Sequence, residues 1–179
     1  MANKLIILCV FITISIMSCN GDEKQIKPKK KQHKVTAKDI LGNPDYLAIS
    51  YGGYRTKTRD SQPTIKELKD DMKILSAMGI KILRTYNVQL PHASNILRAI
   101  TQLKNEYPDF EMYVMLGIWI DCLNAWTGQQ PNHDIESPNN ASEIARAVAL
   151  AEQYSDIVKV LAVGNEAMVK WAESYYVQP

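Results

Sequence analysis

From residue 47 onward, short apolar runs alternate with longer stretches that carry an apolar residue every three or four positions. The runs have the character of strands, and the spaced stretches that of helices with one buried face. Leu47-Ala48-Ile49-Ser50-Tyr51 is a strand that stops at Gly52-Gly53. Thr64, with Glu67 three residues later, predicts a capping box. Ile65, Leu68, Met72, Leu75 and Met78 trace the face of the helix it opens, and Gly79 closes that helix. Lys81 to Val88 is a second strand. Ser94 opens a second helix, with Ile96, Ile100, Leu103 and Tyr107 along one side and Pro108 as its stop. Met112 to Ile120 is apolar nearly throughout, as a strand covered on both faces is. After a longer connection over 121–138, Asn140 and Glu143 predict the cap of a third helix whose face includes Ile144, Val148, Ala151 and Tyr154. Ile157 to Val163 is the fourth strand, and it ends in Gly164-Asn165-Glu166.

Strands alternating with helices imply a parallel sheet with right-handed crossovers. Four units fit an open doubly wound sheet as well as a closed barrel. No Gly-x-Gly-x-x-Gly turn follows the first strand, so the dinucleotide-binding version of the open sheet lacks its fingerprint. A (β/α)8 TIM barrel takes about 250 residues. Residues 46–179 are therefore expected to be its N-terminal half, about four β/α units, cut short after the fourth strand. A new amphipathic start is expected at Ala172-Glu173-Ser174-Tyr175-Tyr176.

The N-terminal region has a different pattern. Lys4 precedes an apolar stretch, Leu5 to Met17, interrupted by Thr13 and Ser15. It is short for a spanning helix and suits a signal-peptide core. Its end, Ile16-Met17-Ser18-Cys19, resembles the lipobox of bacterial lipoproteins. That resemblance implies a signal peptide over 1–18, acylation of Cys19, and a cell-envelope location with the membrane as a partner. Residues 19–45 are polar and lysine-rich and are expected to be a flexible tether. Within them, Asp22-Glu23 resembles the acidic export signals of Bacteroidetes surface lipoproteins.

Composition changes this picture little. A net charge of +2, with much of the lysine gathered in one run near residues 27–34, gives no footprint for nucleic acid. Three cysteines make no disulfide framework, since Cys9 lies in the leader, Cys19 at its end, and Cys122 alone beyond. His133-Asp134 lacks a ligand set, so neither metal nor cofactor is assigned. His33 and His92 are isolated and expected to be solvated.

In a barrel the reactive side chains project from the C-terminal strand ends. Those ends supply Tyr51, Arg84 with Tyr86, Trp119 with Asp121, and Asn165 with Glu166. Rings that stack on pyranose faces, an amide and a guanidinium for hydroxyls, and a carboxyl to move a proton together suit a sugar. Trp126, in the long third connection, is a further candidate platform, whereas Trp171 is expected to pack. Glu166 follows the apolar run Val160-Leu161-Ala162-Val163, where burial would raise its pKa and suit it to be a general acid. Periodicity alone leaves a second reading open, a carboxylate capping a helix over 167–171.

Val163-Gly164-Asn165-Glu166-Ala167, Leu83-Arg84-Thr85-Tyr86 and Leu116-Gly117-Ile118-Trp119 together resemble family-17 glycoside hydrolases of clan A, the β-1,3-glucanases and related transglycosylases. The resemblance covers Leu47 to Glu166. It implies a retaining mechanism on β-glucan, with Glu166 as acid/base, Asn165 on the sugar 2-hydroxyl and Arg84 beside the nucleophile. In that clan the nucleophile is a glutamate on the seventh strand, and neither Asp121 nor Glu173 matches it. The chain alone is thus expected to be inactive. The alternatives are a lipoprotein that binds envelope glycan without cutting it, and a β-glucan transglycosylase.

Overall fold

A computed structural model describes residues 34–178. The signal segment, Cys19, His33 and most of the lysine-rich stretch lie outside the described residues. Four parallel strands form one sheet: β1 (Leu47–Ser50), β2 (Ile80–Arg84), β3 (Tyr113–Ile118) and β6 (Val158–Val163), side by side in that order. Three helices make the crossovers: α2 (Ile65–Ala77), α3 (Pro91–Glu106) and α4 (Asn139–Gln153). The connection after β3 carries an antiparallel hairpin, β4 (Cys122–Leu123) with β5 (Asn132–Glu136). The alternating strand and helix pattern therefore yields the parallel α/β sheet it predicts.

The two faces of the sheet differ. Leu83, Val114, Leu116 and Ile118 pack against Leu68 and Met72 of α2 and Ile96, Ile100 and Leu103 of α3. Strand side chains alternate between faces, so Ile82, Arg84, Tyr113, Met115 and Gly117 belong to the other one. There Ile82 and Tyr113 pack on Ile40, the last residue of α1 (Ala37–Ile40). The expected tether over 19–45 thus ends earlier, because residues from Lys34 on belong with the folded unit. A helix of one turn carries no readable apolar period, which is why the pattern misses it.

Local chemistry explains the helix boundaries. The Thr64 hydroxyl accepts from the Glu67 N–H at 3.2 Å and the Glu67 carboxylate accepts from the Thr64 N–H at 2.8 Å, forming the expected capping box. Gly79 follows the helix with φ +84°, a conformation that suits a residue without Cβ. The start of α3 is Pro91, not Ser94, since proline suits a first helical position where no N–H is required. Ser94 instead donates its hydroxyl to the Pro91 carbonyl at 2.8 Å. The buried stripe of α4 runs through Asn140, Glu143 and Ala147, which leaves Ile144 and Val148 exposed. At the amphipathic start read over 172–176, residues 173–175 form a turn.

Candidate active site at the C-terminal strand ends

Arg84 is the last residue of β2, on the face opposite α2 and α3. Its Nη2 donates to Asn165 Oδ1 at 2.9 Å, across 81 residues of sequence. Its guanidinium lies 5.0 Å from the centroid of the Tyr86 ring, within cation–π range. Asn165 and Glu166 follow β6 through a sharp reversal, with φ +75° at Gly164 and +57° at Glu166. The Glu166 carboxylate Oε2 accepts from the Tyr175 hydroxyl at 3.0 Å. Tyr175 is buried, and that burial, followed by its bond to Glu166, pushes its phenol up from the ordinary value.

Around that phenol three rings meet. Trp119 and Trp126 each lie 5.0 Å from Tyr175, the latter at 25° to it, and 6.2 Å from each other. Trp119 also donates Nε1–H to Asp121 Oδ2 at 3.2 Å. Burial raises the Asp121 carboxyl above the ordinary aspartate value, and bonds from Ser137 and Trp119 oppose that shift. Trp126 stands 62 % exposed at the rim, presenting an aromatic surface to solvent. Among the described residues no group of His, Cys, Asp and Glu could hold a metal ion.

Two buried polar residues of α4 hold the loops that carry these side chains. Glu143 Oε1 accepts from the N–H of Val88 at 2.6 Å and of Trp119 at 3.2 Å. Asn140 Oδ1 accepts from the Asp121 N–H at 3.1 Å, and its Nδ2 donates to the Asp121 carbonyl at 2.9 Å. These are the residues expected to cap the helix. Instead they serve backbone groups that have left the sheet ladder, where unpaired buried amides are costly.

The structure therefore draws together Arg84, Tyr86, Trp119, Trp126, Asn165 and Glu166, with Tyr175 at their junction. Tyr51 is not among them. It lies on the helix side, and its hydroxyl donates to Asp71 Oδ2 of α2 at 2.6 Å. The same carboxylate takes Arg55 Nη2 on Oδ1 at 2.7 Å. Burial followed by that bond pushes the Tyr51 phenol well up. Glu166 is exposed, not buried, because β6 is an edge strand among the described residues and its Leu161 and Val163 are open as well.

Two other expectations change. His92 is buried, with its ring 4.8 Å from that of Tyr54, and burial lowers its pKa. Trp171 is exposed, so it packs against little. The His133 ring stacks on Tyr176 at 3.7 Å and its Nδ1 lies 2.8 Å from the Tyr176 carbonyl. Tyr175 is the site residue that sequence reasoning missed. The Tyr175-Tyr176 pair beside Trp171, just beyond Asn165-Glu166, was the available signal.

No family model and no curated protein matches the chain. Among solved structures it is similar to an endo-laminarinase from Formosa Hel1_33_131, at 74% identity over 81% of this chain and with a TM-score of 0.80. The chain spans 37% of that protein's length. Over the matched part its fold is the fold of a laminarinase.

Proposed function

We propose that this chain is part of a glycoside hydrolase that cleaves β-1,3-glucan with retention, Glu166 serving as general acid/base. One observation carries the reading most. A carboxylate open to solvent stands at the end of β6 next to an amide that Arg84 orients, in a chain 74% identical to part of an endo-laminarinase. In the first step the Glu166 proton goes to the departing glycosidic oxygen, and in the second Glu166 takes a proton from the attacking water. Asn165 would bond the sugar 2-hydroxyl with an N–H, since its Oδ1 is occupied by Arg84. Tyr86, Trp119 and Trp126 would offer faces for stacking.

Retention needs a second carboxyl roughly 5–5.5 Å away as nucleophile. Asp121 is a poor candidate, because burial favours its neutral form and its Oδ2 accepts from Trp119. We assign the nucleophile to a later strand of a (β/α)8 barrel whose first four units are residues 46–179. Residues 46–179 then have no turnover by themselves. Cys19 would tie the protein to the cell envelope, with the following polar stretch as a spacer.

Glu166→Gln in the enzyme containing this chain should cut glucan hydrolysis by about 10²–10⁴-fold, the usual worth of general acid catalysis. An aryl glucoside with an acidic phenol leaves with little protonation, so its loss should be far smaller. Azide should restore part of the rate in Glu166→Ala. Equal losses on both substrates, without azide rescue, would reject the assignment. Tight glucan binding with no product from the intact enzyme would favour a glycan-binding protein instead.

A further inference from the structure

We infer that Tyr175 is a positioning residue for the acid/base: its hydroxyl holds the Glu166 carboxylate, beside the Asn165 amide that Arg84 fixes. This rests on the role proposed for Glu166. A glutamate side chain has three rotatable bonds, and Glu166 is exposed, so nothing in its own packing aims its carboxyl. Productive proton transfer needs that aim. Among the described residues the hydrogen bond that supplies it comes from Tyr175.

The phenol is itself immobile. Its ring lies against both Trp119 and Trp126 at 5.0 Å. Its backbone N–H donates to Ala172 at 2.9 Å, and its carbonyl accepts from Cys122, the first residue of β4, at 3.1 Å. The next residues are tied to β5, through the Tyr176 carbonyl at His133 Nδ1 and the Gln178 N–H at the His133 carbonyl, each 2.8 Å. The hairpin after β3 thus braces the segment after β6.

Direction follows from counting protons. Arg84 can only donate, so Asn165 receives it on Oδ1 and has N–H groups left to give. The Asn165 side chain acts on the Tyr175 phenol as a donor, pulling its pKa down against the larger effect of burial. The single phenol proton then points to Glu166 Oε2, which leaves Oε1 to carry the proton used in catalysis. As the nucleophile bonds to the anomeric carbon, the bond to the leaving oxygen breaks and that oxygen takes the Oε1 proton. The negative charge left on Glu166 is met by the Tyr175 O–H, whose own proton stays in place. In the second step water gives its oxygen to the anomeric carbon and its proton to Oε1, and the nucleophile is released.

The test is Tyr175→Phe in the full-length enzyme, alone and combined with Glu166→Gln. Phenylalanine keeps the ring between the two tryptophans, so the unfolding midpoint and oligosaccharide Kd should be unchanged. On glucan, kcat should fall about tenfold, the scale of one charge-assisted hydrogen bond. The aryl glucoside with an acidic phenol should lose far less. In the Glu166→Gln background Tyr175→Phe should cost nothing more. Losses that multiply, or that are equal on both substrates, would show Tyr175 to be a packing residue and overturn the inference alone. Unimpaired glucan hydrolysis by Glu166→Gln would remove the proposed function and this inference with it.

Discussion

Glu143 offers the clearest test of how this end of the sheet is held. The residue is 3 % exposed, and its Oε1 accepts from the N–H groups of Val88 at 2.6 Å and Trp119 at 3.2 Å. Both amides lie past the ends of their strands, where no ladder partner remains. An orphaned buried donor costs about 1–3 kcal/mol. Glu143→Ala orphans two, so its cost should be about 2–5 kcal/mol once some water entry is allowed for. Glu143→Gln keeps Oε1 and loses only the 3.1 Å contact of Oε2 with Arg146, whose side chain is 47% exposed. Ion pairs that open to water are worth about 0–1 kcal/mol. The amide variant should therefore stay close to wild type while the alanine variant falls well below it. Urea unfolding followed by tryptophan fluorescence measures the gap, and amide exchange at Val88 and Trp119 locates it. Equal destabilisation by the two substitutions would refute the two-amide account. So would unchanged protection of both amides in Glu143→Ala.

The remaining predictions concern His92 and the anchor. Burial holds the His92 pKa below its unfolded value of about 6.5, so the unfolded chain takes up a proton that the folded chain refuses. Its contribution is complete above that pH and is lost as pH falls through the folded pKa. The fall in stability between pH 7 and pH 5 should thus be shallower in His92→Phe than in wild type, and parallel curves would count against it. Cys19→Ala should abolish labelling by a fatty-acid analogue and release the mature protein from membranes, and label retained in the variant would reject the lipoprotein reading.

The strands and helices are legible in the sequence because their apolar periods are long enough to see. The Thr64–Glu67 cap was legible because both partners lie within one turn. Arg84, Tyr86, Trp119, Asn165 and Glu166 lie together because a parallel sheet sends all its strand C-termini to one edge, and Trp126 joins them from the connection after β3. Tyr51 shows where that logic stops: position at a strand end gives the edge, and side-chain parity gives the face. It shares parity with Ile49, whose register partner Leu83 faces the helices. Asn140 and Glu143 were misread for another reason. Their spacing imitates a local cap, while the amides that Glu143 serves are 55 and 24 residues away. Tyr175 sits where an amphipathic start is read but a turn forms, and its partners come from the connection after β3 and the reversal after β6.

The two glutamates at this end of the sheet show how surroundings divide one side-chain type into two roles. Glu143 sits in the second turn of α4, three residues from Asn140 and so on the same helix face. From there the pair satisfies three amides and one carbonyl of the loops after β2 and β3. Apolar side chains could fill that space but could not pair those groups. A carboxylate so enclosed is fixed in place, because moving it would strand the amides it serves. Glu166 has the opposite situation: it is exposed, with one phenol donor on one oxygen. Its other oxygen can meet solvent or sugar without breaking the fold. The two are connected through contacts, since Glu143 holds the backbone of Trp119, Trp119 lies against Tyr175, and Tyr175 bonds Glu166. The buried carboxylate thus supports the fixed surface against which the exposed one is aimed.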